Sequence, residues 1–102
     1  MAYNSQVRFE WDESKNRSNQ VKHGVSFEEA RSLFESGVDF LEIFDVKSSI
    51  DEDRFIAIGP IVREVVLVVW IDRVDATIRI ISARMATARE KALFMERMRE
   101  TQ

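Results

Sequence analysis

The chain predicts an α+β fold: two N-terminal helices, an antiparallel β-sheet of about four strands, and a C-terminal helix. Three observations carry this. Apolar residues recur at helical spacing before residue 37 and give way to valine- and isoleucine-rich runs after about residue 40. The gaps between those runs are turn-sized, which favours antiparallel neighbours over crossovers. A capping-box pattern then reopens helical spacing at Thr87.

Each element has its own signal. Arg8–Trp11 reads as a short strand or extended segment. Asp12 can cap a helix from about Glu13 to His23. Glu13 opens that helix and Lys22 and His23 close it, as the helix dipole favours. Gly24 supplies a left-handed stop. Ser26 caps the second helix, and Glu29 completes a capping box. Phe27, Ala30, Leu33 and Phe34 give that helix an apolar face, and it ends near Gly37. Strands follow at 40–46, Phe55–Gly59, Val65–Ile71 and Ala76–Ala83. Val65–Ile71 is apolar throughout, so it reads as a central strand covered on both faces. The last helix runs from about 87 to 100, with Ala88, Ala92 and Met95 as its apolar stripe and Leu93, Phe94 and Met98 beside it.

Length and composition fit one domain over 1–102, with enough chain to bury a core. No cysteine is present, which excludes disulfides, thiolate metal sites and a cysteine nucleophile. One histidine and scattered acids offer no recognised metal spacing, and the acids at 51–53 read as a solvated loop. No cofactor motif is visible. The first residues are polar, and no apolar run approaches the roughly 20 residues of a membrane span. These features predict a cytoplasmic protein without membrane contact.

The net charge of −3 disfavours a general nucleic-acid binder, but the charge is unevenly placed. Residues 28–53 hold nine acids against two bases, and residues 76–102 hold six bases against three acids. A basic site can therefore lie beside an acidic flank.

Several fragments, in order and spacing, resemble the BrnT toxin family. They are Phe9-Glu10-Trp11-Asp12, Lys15, Asn19, Lys22-His23-Gly24-Val25-Ser26-Phe27 and Glu28-Glu29-Ala30. They continue with Arg54-Phe55-Ile56-Ala57-Ile58-Gly59, Arg79-Ile80-Ile81-Ser82-Ala83-Arg84, Ala86-Thr87 and Glu90. The likeness spans about 9–94. It implies a fold similar to RelE-type ribonucleases. It also implies an RNA-cleaving toxin of a type II toxin–antitoxin pair, held by a BrnA-like ribbon-helix-helix antitoxin. RNA would be the substrate, and DNA would be reached only through the antitoxin. Phe94 stands where family members commonly carry tyrosine, and members tend to be more basic than this chain.

Metal-free RNA cleavage needs a base for the ribose 2′-hydroxyl, an acid for the leaving 5′-oxygen and cations for the phosphorane. Lys22, His23, Arg54, Arg79, Arg84 and Glu90 are the candidates. Each has a second reading. His23 and Lys22 can serve only the helix end. Arg54 can be a surface ion pair, and Glu90 a capping residue. Arg79 and Arg84 have opposite parity in a regular strand, so they are expected on opposite faces, one of them structural. Trp11 can stack a base or join the core, and Trp70 reads as core. The leading expectation is a metal-independent endoribonuclease toxin that inhibits translation. The alternative is a weakly active or non-catalytic binding module acting through its antitoxin in operon autoregulation. A structural interaction domain is the third.

Overall fold

The computed structural model describes residues 7–47, 49 and 52–100. The chain runs β1 (Arg8–Glu10), α1 (Glu13–His23), α2 (Phe27–Glu35), β2 (Leu41–Phe44), β3 (Arg54–Pro60), β4 (Val65–Arg73), β5 (Thr77–Met85) and α3 (Ala88–Glu100). Asp51, one of the acids read as a solvated loop, lies outside the described residues; Glu52 and Asp53 are exposed.

The helix boundaries follow their local chemistry. Asp12 accepts from the Lys15 N–H at 3.1 Å and caps α1. Gly24 closes α1 at φ 70°, a conformation that costs glycine nothing. Ser26 and Glu29 form the reciprocal capping box of α2. Thr87 and Glu90 repeat it at α3.

The sheet corrects the expectation of about four antiparallel strands. It has five strands in the order β1-β5-β4-β3-β2, and it is mixed. β2 through β5 form antiparallel hairpins, while β1 pairs parallel to β5, Arg8 opposite Thr77 and Glu10 opposite Arg79. Turn-sized gaps dictate direction only between consecutive strands. β1 is separated from its partner by both helices and three strands, so no local gap reports on it.

α1 and α2 lie on one face and α3 on the other. The first core joins Phe27, Ala30, Leu33 and Phe34 of α2 to Val66, Val68 and Trp70 of β4 and to Ile78, Ile80 and Ala83 of β5. Trp11 packs against it edge-on to Phe27, and its indole N–H donates to Glu13 at 3.0 Å. Gly59 is required in β3: a Cβ there would stand 2.7 Å from that of Phe40.

The second core is smaller: Ile58, Leu67, Ala86 and Phe94, with Leu41, Ile56, Val65, Val69 and Met98 around it. β4 is thus covered on both faces, as expected. The expected α3 stripe is corrected. Phe94 and Met98 turn inward, four apart, while Ala88, Ala92 and Met95 face solvent. Consecutive residues are about 100° apart around a helix, so a stripe chosen one position away turns a different face inward.

Candidate functional site

The site begins with an irregularity in β5. Val69 pairs with Ser82, but Trp70 pairs with Ile80, which leaves Ile81 as an extra residue. This is a β-bulge, and it reverses the side-chain parity beyond it. Ile78 and Ile80 face the first core before the bulge, and Ala83 faces it after. Arg79 pairs with Ile71 and Arg84 with Leu67, two positions on the same face of β4. The expectation that Arg79 and Arg84 face opposite sides is therefore corrected. The bulge puts both on the α3 side of the sheet.

Cross-strand rows order that face. One row reads Arg54, Ile71, Arg79; the next reads Ile43, Ile56, Val69, Ser82; the third reads Leu41, Ile58, Leu67, Arg84. Neighbouring rows are about 7 Å apart along the strands. Ser82 thus lies between the two arginine rows. α3 covers the β2–β3 half of the face and leaves the β5 half partly open, with Arg79 and Arg84 about a third exposed.

α1 closes the edge of β5 that the short β1 cannot reach. The Asn19 side-chain amide donates to the Ala83 carbonyl at 2.7 Å, and its oxygen accepts from the Ala83 N–H at 3.2 Å. It also donates to the Val25 carbonyl at 2.8 Å. Asn19 so stands in for a missing strand. Asn16, likewise buried, accepts from the Phe27 N–H and donates to Glu13 and Glu28. The docked helix frames a groove of about 240 Å³ lined by Lys15, Ser18, Asn19, Lys22, His23, Ile81 and Ser82.

Each arginine of the face meets a different environment. Arg84 grips Glu90 through two bonds of 2.8 and 2.9 Å. That guanidinium, with help from the Thr87 N–H, holds the Glu90 carboxyl down to about 2 against partial burial. The Arg84 guanidinium is pushed up in turn. Arg79 pairs with Glu10 at 3.0 Å, and Glu10 also meets Arg73 at 3.5 Å. Both sheet arginines are thus tied to carboxylates, not one of the two. Among the described residues Arg54 has no carboxylate partner; its backbone N–H donates to Ser49 Oγ at 2.9 Å. Lys22 is exposed and His23 half-buried.

The structure thus brings Lys22 and His23 together in the groove, joins them through Ser82 to the face of Arg79 and Arg84, and puts Arg54 across the sheet in the row of Arg79. Glu90 is a capping residue and an arginine clamp at once. Sequence reasoning passed over the roles of Ser82, Ser18, Glu10 and the two asparagines. One signal was present. Residues 13–23 hold a single aliphatic side chain, Val21, so a helix docked there must use polar groups.

A family model described as the ribonuclease toxin BrnT of type II toxin–antitoxin systems matches residues 11–90, which include all six candidate residues. The chain belongs to the BrnT family. Among solved structures it is similar to the Brucella abortus ribonuclease toxin BrnT, with a TM-score of 0.55 and 24% identity over 79% of this chain and 97% of that one. That likeness bears on the fold. No curated protein sequence matches the chain. Within this BrnT fold Phe94 is a buried hydrocarbon contact in the second core. No helix among the described residues is long and apolar enough to cross a membrane.

Proposed function

We propose that this BrnT protein is a metal-independent endoribonuclease acting in the RelE-like manner, that it inhibits translation by cleaving RNA, and that a BrnA-like ribbon-helix-helix antitoxin neutralises it in the cytoplasm. The observation that supports this most is the position of Ser82. It lines the groove of Lys22 and His23 and shares a sheet face with Arg79 and Arg84. Proton-transfer groups and phosphate-binding cations so adjoin one another.

In this reading the RNA phosphate lies on the β5 half of the face. Arg79 and Arg84 hold its oxygens by forked hydrogen bonds, and Arg54 extends the cationic track along the strand of RNA. His23 removes the 2′-hydroxyl proton, the 2′-oxygen bonds to phosphorus, and the bond to the 5′-oxygen breaks. Lys22 stabilises the charge that builds on the departing 5′-oxygen, which takes its proton from water. Glu90, held ionised well below neutrality, positions Arg84 and carries no proton at working pH.

The test is expression of the chain without an antitoxin. Growth should arrest and bulk RNA should shorten. Arg84→Ala or Arg79→Ala should relieve the arrest while the circular dichroism spectrum stays that of the parent. His23→Gln should lower turnover by removing the base. If both arginine variants stay folded and fully toxic, the site is misplaced. A second reading, a binding module acting through its antitoxin, draws on the carboxylates that already occupy Arg79 and Arg84. A wild-type chain that is harmless at high expression would select it.

A further inference from the structure

Among the described residues, the two edge strands of the sheet are built differently. β1 is three residues long, with a charged residue at each end, and its Phe9 is covered by Arg31 at 4.8 Å from the ring. Short, charged edges resist pairing with other chains. β2 forms the opposite edge, and it exposes apolar side chains as well as Glu42. Ile43 faces the α3 side and is 37% exposed, Phe44 faces the other side and is 45% exposed, and Val46 just beyond is 72% exposed. The Asp45 N–H bonds the Arg54 carbonyl, so by the antiparallel alternation the peptide groups of Glu42 and Phe44 point away from the sheet. Among the described residues, backbone donors and acceptors and a hydrocarbon strip thus share one edge of the sheet.

Charge selects the occupant. Between Arg31 and Arg54 the sequence has one base, Lys47, against seven acids. Asp39, Glu42 and Asp45 stand on or beside the strand itself. A second copy pairing edge to edge would bring two such acidic strips together, and like charges across a strand pair destabilise it. A cationic strand meets the same strip with complementary charge.

We propose that the β2 edge is a docking surface for an extended segment of a partner polypeptide in which apolar residues alternate with lysine or arginine. The segment adds a sixth strand by backbone hydrogen bonds to Glu42 and Phe44. Its apolar side chains cover Ile43 on one face or Phe44 on the other, and its cations lie among the acids. A strand of this length covers well under the ~1,200 Å² of a stable interface. Binding by the segment alone is therefore weak and salt-sensitive. The surface is independent of the RNA-cleavage reading.

The probe is a synthetic octapeptide alternating valine with lysine, compared with the same peptide carrying glutamate in place of lysine. Each is titrated into the isotope-labelled full chain while backbone amide resonances are followed. The lysine peptide should shift and protect the Glu42 and Phe44 amides, the glutamate peptide should leave them unmoved, and the effect should fade as salt rises from about 0.1 to about 1 M. Val46→Lys lies beyond the strand, so it keeps the fold, and it should weaken the lysine peptide at least threefold. Phe44→Lys should weaken it further; if that variant unfolds, Val46→Lys carries the comparison. Equal binding of both peptides, shifts centred elsewhere, or no shift at all would overturn the proposal. So would protection of the same amides in peptide-free protein with rising molecular mass, because the occupant would then be a second copy.

Discussion

α1 and α2 are neighbours of similar length, each opened by a capping side chain, yet they dock by opposite means. α2 buries four hydrocarbon side chains, Phe27, Ala30, Leu33 and Phe34, in the main core. α1 buries two amides, Asn16 and Asn19, and no hydrocarbon at all. The difference has a functional consequence. A helix held by hydrocarbon gives up a wide face to the core. A helix held by two amides at i and i+3 gives up one narrow line and keeps Lys15, Ser18 and Lys22 free to line a groove. α2 is architecture, and α1 is architecture that also lines a surface.

The comparison breaks most visibly at Phe34. Its ring meets those of Phe9, Phe40 and Trp70 with centroids 5.4 to 5.9 Å apart. Phe34→Ala should cost about 3–5 kcal/mol in chemical denaturation, through lost transfer energy and the cavity left behind. Asn19→Ala should cost about 2–4 kcal/mol although it removes hardly any hydrocarbon, because the Ala83 N–H and the Ala83 and Val25 carbonyls lose buried partners. Asn19→Ala should also loosen the β5 edge, so hydrogen exchange at Ala83 should accelerate more than in Phe34→Ala at matched stability. An Asn19→Ala chain as stable as the parent would mean that α1 is held by something other than its amides.

This contrast also marks what the sequence revealed. α2 was legible because hydrocarbon burial leaves a periodic trace: Phe27, Ala30, Leu33 and Phe34 recur at helical spacing. The limits of α1 were legible from Asp12 and Gly24, but its docking face was not, since a buried asparagine resembles an exposed one in sequence. The bulge at Ile81 was hidden for a related reason. Residues 78–83 are apolar or small at most positions, so parity can reverse without disturbing the pattern. That reversal puts Arg79 and Arg84 on one face, and only cross-strand register reveals it. The six candidate residues were named from chemistry and resemblance; their arrangement came from structure.

A pH experiment sharpens the separation. Two capping-box acids are each clamped by an arginine. Glu29 of α2 is held down to about 2 by hydrogen bonds from Arg63 and the Ser26 N–H. Glu90 of α3 is held down to about 2 by Arg84. A carboxylate with a depressed folded pKa adds stability above its ordinary value of 4.5, and that stability is lost as pH falls towards 2. Glu29→Gln and Glu90→Gln should each lower stability near neutrality and flatten its decline between about pH 4.5 and about pH 2. Only Glu90→Gln should also slow RNA cleavage, because it releases Arg84. If Glu29→Gln slows cleavage equally at matched stability, α2 is not mere architecture.

The smallest effects lie on adjacent residues of α1 itself. Val21 is 90% exposed and its neighbour Lys22 lines the groove. Val21→Ala exchanges a β-branched side chain for the best helix former, so stability should move by no more than about 0.5 kcal/mol. RNA affinity should not move. Lys22→Ala should be similarly quiet in stability, since the side chain is exposed. Its effect belongs to binding. If Lys22 neutralises one phosphate of a single strand, its loss should reduce the slope of log affinity against log salt by about 0.7, uniformly across RNA sequences. Measuring that slope for the two variants side by side tests whether the polar face of α1 is a working surface. Identical slopes would leave the helix as a plug for the β5 edge and move the RNA wholly onto the arginine face.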